Sequence, residues 1–266
     1  MTDDKTKTDA PLLQTQSDDG VVTLTLNRPQ VHNALSPDLM DALGAAMTRI
    51  AVDDTVRVVV LAASGDTTFC AGGDLNWMQA QMSANRTQRM AEARRLADML
   101  SLINASPKPT IARVHGKALG GGLGMMAVCD HVIAADHARF GFTETQLGII
   151  PATIGPHVIS RMGEGAARRV FMSGRLFDCV EARSLGLVET VVAASEIDAA
   201  VAKAAAPYLA ASMSAVAMAK DLARHLGGGV TDAAIEHSIT ALADAWETPD
   251  ARARIAAFFE ARKSKR

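Results

Sequence analysis

Apolar residues recur along this chain with two spacings, one of strands and one of helices, and the order of the two predicts the architecture. Val21 to Leu26 (Val-Val-Thr-Leu-Thr-Leu) alternates as a half-buried strand, and Asn27-Arg28-Pro29 ends it. Ser36 and Pro37 read as the N-cap and first residue of a helix with Leu39, Leu43, Met47 and Ile50 on one stripe. Val56 to Ala62 is a near-continuous β-branched run, the mark of a strand covered on both faces. Ala84 to Ile103 predicts a long helix with Met90, Leu96 and Leu100 inward and Arg86, Arg89, Arg94 and Arg95 outward. A strand over Pro109–His115, an apolar helix over Leu123–Cys129 and strands near His131–Ala135 and Arg139–Phe142 follow. Glu164–Met172 reads as helical, and Asp178 with Glu181 opens a helix that ends at Gly186, before a strand over Leu187–Val192. From Ile197 onward the pattern is helical throughout, and Thr248-Pro249-Asp250 opens the last helix. The prediction is an α/β core over residues 17–196 and a helical region over 197–266. Residues 1–16 are Thr/Asp/Lys-rich and aperiodic, so a disordered tail is expected there.

Composition narrows the partners more than the fold. With 48% hydrophobic and 21% charged residues, a net charge of −2 and a pI near 6.4, nothing favours nucleic acid. No stretch is long and apolar enough to span a bilayer. Cys70, Cys129 and Cys179 are scattered without paired spacing, which suits reduced thiols and a cytoplasmic location. Histidines show no metal-ligand spacing; His115, His131 and His137 read as strand or turn residues, and His157 as a possible pocket residue.

Two glycine turns carry the chemistry. Ala71-Gly72-Gly73 and Gly120-Gly121-Gly122 each follow a buried strand, and in a layered fold such turns meet at one end of a sheet. One N–H from each would hold a developing oxyanion. Twenty residues past Gly124, Glu144 stands between Phe140 and Phe142 on one side and the apolar Leu147–Pro151 run on the other. Such surroundings raise a carboxyl pKa towards the range of general acid–base work. Asp74 reads as a brace for its own turn and Asp130 as a helix-end residue. Gly122-Leu-Gly124-Met-Met-Ala127 matches a dinucleotide fingerprint in letters, but its strand ends too early, at His115. A G-x-S-x-G elbow, a Walker A loop and HExxH do not occur.

These residues resemble the crotonase (enoyl-CoA hydratase/isomerase) superfamily. The resemblance spans roughly Val21 to Val192 and rests on Asn27–Leu35, Phe69-Cys-Ala-Gly-Gly-Asp-Leu75, Ala118–Gly122, Cys129-Asp130, Phe140–Glu144 and Glu181–Val188. It implies a crotonase-like spiral of ββα units with a helical C-terminal trimerisation region, assembled as a homotrimer or homohexamer. It implies an acyl-CoA thioester substrate, with coenzyme A part of the substrate and no separate cofactor, whose carbonyl lies between the amides of Gly73 and Gly121. Substrate contacts would fall around Gln30–His32, Ala71, Gly72, Asp74, Gly120 and Gly124, with Arg262 and Lys263 reaching a neighbouring subunit. Hydratases of the family commonly carry two glutamates; the first of those positions is Gly124 here, and the second is Glu144. One carboxylate suits the family's Δ3,Δ2-enoyl-CoA isomerases, whose pattern the run Glu144–Ile150 resembles. Asp74–Met78, Gly121–Gly124 and Ile149–Pro156 instead resemble bacterial 3-methylglutaconyl-CoA hydratases. Three expectations follow: a hydratase of short or branched enoyl-CoA, an isomerase, or a scaffold without catalysis. On the hydratase reading, Gly124 leaves space for water or a substrate carboxylate, and an arginine of the 86–95 helix meets the distal charge.

Overall fold

The structure, a computed structural model, describes residues 10–264. Its strands are β1 (Leu12–Gln16), β2 (Val21–Leu26), β3 (Val58–Ala63), β4 (Thr68–Cys70), β5 (Thr110–Val114), β6 (Lys117–Leu119), β7 (His131–Ala135), β8 (Phe140–Gly141), β9 (Leu176–Phe177) and β10 (Thr190–Val192). The helices are α1 (Pro37–Ala51), α2 (Leu75–Ser83), α3 (Arg86–Ala105), α4 (Gly121–Ala127), α5 (Gly155–Met162), α6 (Glu164–Phe171), α7 (Cys179–Ser184), α8 (Ile197–Ala210), α9 (Met213–Leu226), α10 (Asp232–Glu247) and α11 (Pro249–Lys263).

Successive strands are dealt alternately into two sheets. A six-stranded sheet runs β1-β2-β3-β5-β7-β10, and a four-stranded one runs β4-β6-β8-β9. Thus β3 and β4, β5 and β6, and β7 and β8 each place one strand in the large sheet and the next in the small one. Helices close the first two of these units. The result is the spiral of ββα units that the resemblance implies. All pairings from β2 to β10 in the large sheet are parallel.

Strand β3 is buried at all six positions, as its unbroken apolar run predicts. Its period of two divides the burial. Val59 and Leu61 face the main core with Leu39, Leu43, Met47 and Ile50 of α1 and with Leu100 and Ile103 of α3. Val58 and Val60 face the opposite layer with Ile111, Ile133 and, from α8, Ile197, Val201 and Ala205. Each fully buried Leu or Ile contributes roughly 1.5–3 kcal/mol.

One expectation is corrected in part here. Residues 12–16 are not a disordered tail: Leu12 to Gln16 pair antiparallel with Val22 to Leu26 as an edge strand. Residues 1–9 of that expected tail lie outside the described residues. The break at 196 marks a change of secondary structure and not of packing, because α8 covers one face of the large sheet. Helix α10 packs Ile235 and Ile239 on Ala93 and Ala97 of α3. Farther along, Trp246 of α10 and Ala251 and Ile255 of α11 cluster with Ile149. The Arg89 guanidinium lies 5.8 Å from the centre of the Trp246 ring.

Trp246 therefore joins the C-terminal helices to the segment after Glu144. Trp246→Ala is expected to destabilise the fold by about 3–5 kcal/mol in urea unfolding, through the cavity it leaves. A change below about 1 kcal/mol would show that this cluster is loosely built.

Candidate active site

The site begins with two short strands. β4 and β6 lie side by side and parallel in the small sheet, so their C-terminal ends leave the same edge. Each runs directly into a glycine turn. Sequence periodicity missed both strands, which are three residues long, and attached the turns to the large-sheet strands instead. Gly72 has a φ of +88° and Gly120 one of +47°, values that side chains rarely tolerate. A Cβ added to Gly72 would stand 3.7 Å from the Gly121 nitrogen, which places the two turns in contact.

Hydrogen bonds fix how the first turn faces. Leu35 N–H donates to Gly72 O (2.8 Å), and Asp74 N–H donates to Leu35 O (2.9 Å). The intervening Gly73 peptide points away from residue 35, and its N–H has no acceptor among the described residues. Gly121 is the first residue of α4, where an N–H lacks an intrahelical acceptor. Asp74 acts as the brace expected of it. Its Oδ1 accepts from Asn76 N and Trp77 N as the cap of α2, and Arg28 donates to its Oδ2 at 2.8 Å. The Trp77 ring lies over Gly73, 3.1 Å from where a Cβ would stand, and its indole N–H donates to Glu92 (2.8 Å).

Glu144 sits in a 3₁₀ turn, Thr143–Leu147, that leaves β8 next to β6. Behind it Phe142 stacks on Phe177 and meets Phe171 edge-on, which fixes the start of the turn. Its far end is held by α11: Gly148 approaches Ala251 so closely that an added Cβ would be 2.7 Å from that residue's Cα. The carboxyl turns inward onto the bare Cα of Gly120, where a Cβ would lie 2.8 Å from Oε1. Although the residue as a whole is half-buried, Oε2 is sealed from solvent and has no hydrogen-bond partner among the described residues. Burial pushes the carboxyl pKa up to about 7, against a smaller lowering by its own backbone amide.

The remaining residues divide into those beside this cluster and those away from it. His32 O accepts from Ala71 N (3.0 Å), which draws the exposed Gln30–His32 segment alongside the first turn. Sequence reasoning passed over what shapes that segment. Asn33 is fully buried in the left-handed region (φ 53°), and its side chain donates to Ser64 O and Thr68 O. Its place in the Asn27–Leu35 motif was the available signal, since Asn tolerates that conformation. Lys263 lies far along α11, about 18 Å beyond Ala251 at 1.5 Å per residue, and pairs with Glu260. This chain does not bring it to the carboxyl. Asp130 binds Thr110 and Lys220 instead. His157 is buried, its pKa pushed down to about 4 by that burial. Among the described residues no group of three His, Cys, Asp or Glu side chains could hold a metal.

Two expectations about substrate space do not hold. Gly124 leaves no vacancy: a Cβ there would be 2.4 Å from Cγ2 and 2.9 Å from Cβ of Ile154, which fills the place. Nor is an arginine of the 86–95 helix held ready for a distal carboxylate. Arg86 pairs with Asp244 and Glu247, Arg94 with Glu236, and Arg95 with Asp41 and Glu92. Arg89 donates to Gln81 O.

The family model described as enoyl-CoA hydratase/isomerase matches residues 16–265. A crotonyl-CoA hydratase of Syntrophomonas wolfei is 34% identical over 256 residues, covering 94% of this chain and 95% of that protein. A solved enoyl-CoA hydratase of Mycobacterium smegmatis superposes with a TM-score of 0.79 at 37% identity, over 94% of this chain and 96% of that one. Another, from Mycobacterium avium, gives 0.84 at 30% identity, over 95% and 97%.

The buried carboxyl predicts a pH signature in stability. Between the ordinary glutamate value of 4.5 and about 7, the folded chain keeps the Glu144 proton that the unfolded chain has released. Folding stability therefore falls as pH rises through that window. Glu144→Gln removes this loss. Relative to the parent it should gain on the order of 2 kcal/mol between pH 5 and pH 8 in urea titrations. A difference that stays constant with pH would contradict the burial.

Proposed function

The chain belongs to the enoyl-CoA hydratase/isomerase family, and from that footing we propose that it adds water to a short enoyl-CoA thioester through an enolate. The observation that carries the reading is the Glu144 carboxyl lying on Gly120, beside two abutting turns whose Gly73 and Gly121 amides lack acceptors among the described residues. The thioester oxygen would accept from these two amides. Water oxygen bonds to C3 as Glu144 takes its proton, and the C2=C3 electron pair moves into the thioester to form the enolate. As the enolate collapses, C2 takes the proton back from Glu144. A carboxyl with a pKa near 7 serves both halves, because neither of its protonation states is costly at neutral pH. The oxyanion donors would contribute the largest single electrostatic effect.

The internal pairing of the 86–95 arginines favours a hydrocarbon acyl group over one with a distal charge. Coenzyme A would run past Gln30–His32 and Ala71–Asp74. Exposed Met218, Leu222 and Leu226 recur every four residues on α9 and support assembly into trimers or paired trimers, in which Lys263 would meet a neighbour's substrate. Three buried free thiols suit a cytoplasmic location. One observation favours a second reading, 3-enoyl to 2-enoyl isomerisation: Ile154 occupies the place of a second carboxylate, and a single acid suffices to move one proton between carbons.

Ultraviolet absorbance of the conjugated enoyl thioester separates the two. Hydration of crotonyl-CoA bleaches the band, whereas isomerisation of a 3-enoyl-CoA creates it. Glu144→Gln should lower kcat/KM by about 10²–10⁴-fold in whichever assay the parent passes, with KM little changed. Undiminished turnover in that variant would refute the assignment. Mass measurement in solution is expected to return three or six subunits; a monomer would refute the assembly.

A further inference from the structure

The α-carbon of Gly73 is held from two directions. Across the backbone, both of its flanking peptides bond to Leu35, through Gly72 O and Asp74 N–H, and residues 35 and 73 form a parallel bridge. In the side-chain direction, roughly perpendicular to those bonds, the Trp77 ring leans on it. Ring atoms Cζ3 and Cε3 lie 3.1 Å and 3.3 Å from where a Cβ would stand. A Cβ stands about 2.5 Å from its own nitrogen, so the ring edge is within roughly 5.6 Å of the Gly73 amide. Met78 Cγ lies 3.6 Å from the same point. A residue in front of a helix cap often meets the fourth helical residue, here Met78, through an apolar side chain. Gly73 has none, so the ring and Met78 rest on main chain.

Packing alone does not place the ring. Trp77 borders the main core yet is half-buried, and α2 buries only Met78 and Gln81 among its nine residues. What sets the indole is its N–H, which donates to Glu92 Oε2 on α3 at 2.8 Å. One turn along α3, the Arg95 guanidinium lies 3.4 Å from the same oxygen and pairs with Asp41 of α1 beyond it. A hydrogen bond to an ionised acceptor is about twice as strong as one between neutral groups. At the other end of α2, Arg89 donates to Gln81 O (2.9 Å), so α3 holds this helix at two points.

We infer that Glu92 is a positioning residue for the oxyanion site: through the indole N–H it holds the Trp77 ring against Gly73, and the ring fixes the amide that meets the thioester oxygen. This rests on the reading of the Gly73 amide as an oxyanion donor. Glycine has more backbone freedom than any other residue, so an amide there is aimed only as well as its surroundings constrain it. A misplacement of about 1 Å can cost about 10²-fold in rate. The ring acts on the donor and not on the acid. Hydration and isomerisation, which share the enolate, are therefore affected alike.

The test measures kcat and KM for the parent, Glu92→Met, Glu92→Gln, Trp77→Phe and the combination of Glu92→Met with Trp77→Phe, in the absorbance assay the parent passes. Methionine keeps the length of glutamate without its acceptor. It should lower kcat by about 10–10²-fold with KM little changed, the mark of an interaction made in the transition state. Glutamine retains an oxygen for the indole N–H and should restore most of kcat. A role confined to joining α2 to α3 would lower the urea midpoint and leave kcat of the folded enzyme alone. Because both residues act through one hydrogen bond, the combined variant should be no slower than the slower single one. In a Trp246→Phe background Trp77 is the sole tryptophan, and its emission should shift with Glu92→Met and not with Glu92→Gln. If Glu92→Met does not fold, Trp77→Phe decides by the same kcat criterion. Parental kcat in a folded methionine variant, a glutamine variant equally slow, or losses that multiply in the combination overturn the inference. A parent inactive in both absorbance assays would instead sink the underlying reading of the site.

Discussion

The structure turns on two strands that leave the same sheet edge in the same direction. Because β4 and β6 are parallel neighbours, the glycine turns that follow them meet without any long-range contrivance. Their amides are left unpaired because the backbone must bend at Gly72 and Gly120 through conformations closed to side chains. The same missing Cβ at residue 120 admits a carboxyl into van der Waals contact with the main chain. Donors and acid are thus gathered by backbone geometry, before any pair of side chains needs to recognise each other.

The carboxyl in turn depends on parts of the chain that look peripheral. An aromatic group of Phe142, Phe171 and Phe177 holds one end of its turn, and α11 presses on the other through Gly148 and Ala251. Helices α10 and α11 belong to the site mechanically even though they contribute no reacting group. This is why the helical region cannot be treated as an appendage to the spiral.

Much of this was legible in the residues. The near-continuous Val56–Ala62 run announced a doubly covered strand, and the paired glycine turns with Glu144 announced the place of chemistry. What stayed hidden was short or nonlocal. Strands of three residues, such as β4 and β6, are too brief for a period of two to register. The edge strand β1 ends in Gln14-Thr15-Gln16, whose polar letters resemble a tail. The occupant of the place beside Gly124 arrives from thirty residues downstream, so only packing reveals it. Asn33 and Arg28 act through backbone carbonyls and a cap, which leave no periodic trace.

Strand β1 has a consequence of its own for how the molecule behaves in company. Without it β2, six residues of an alternating pattern, would present an open row of main-chain donors and acceptors at the rim of a parallel sheet. By running antiparallel along that rim the segment becomes the sheet's selvage, and its short length and exposed Gln14-Thr15-Gln16 end give an incoming strand only a brief, polar margin to stitch onto.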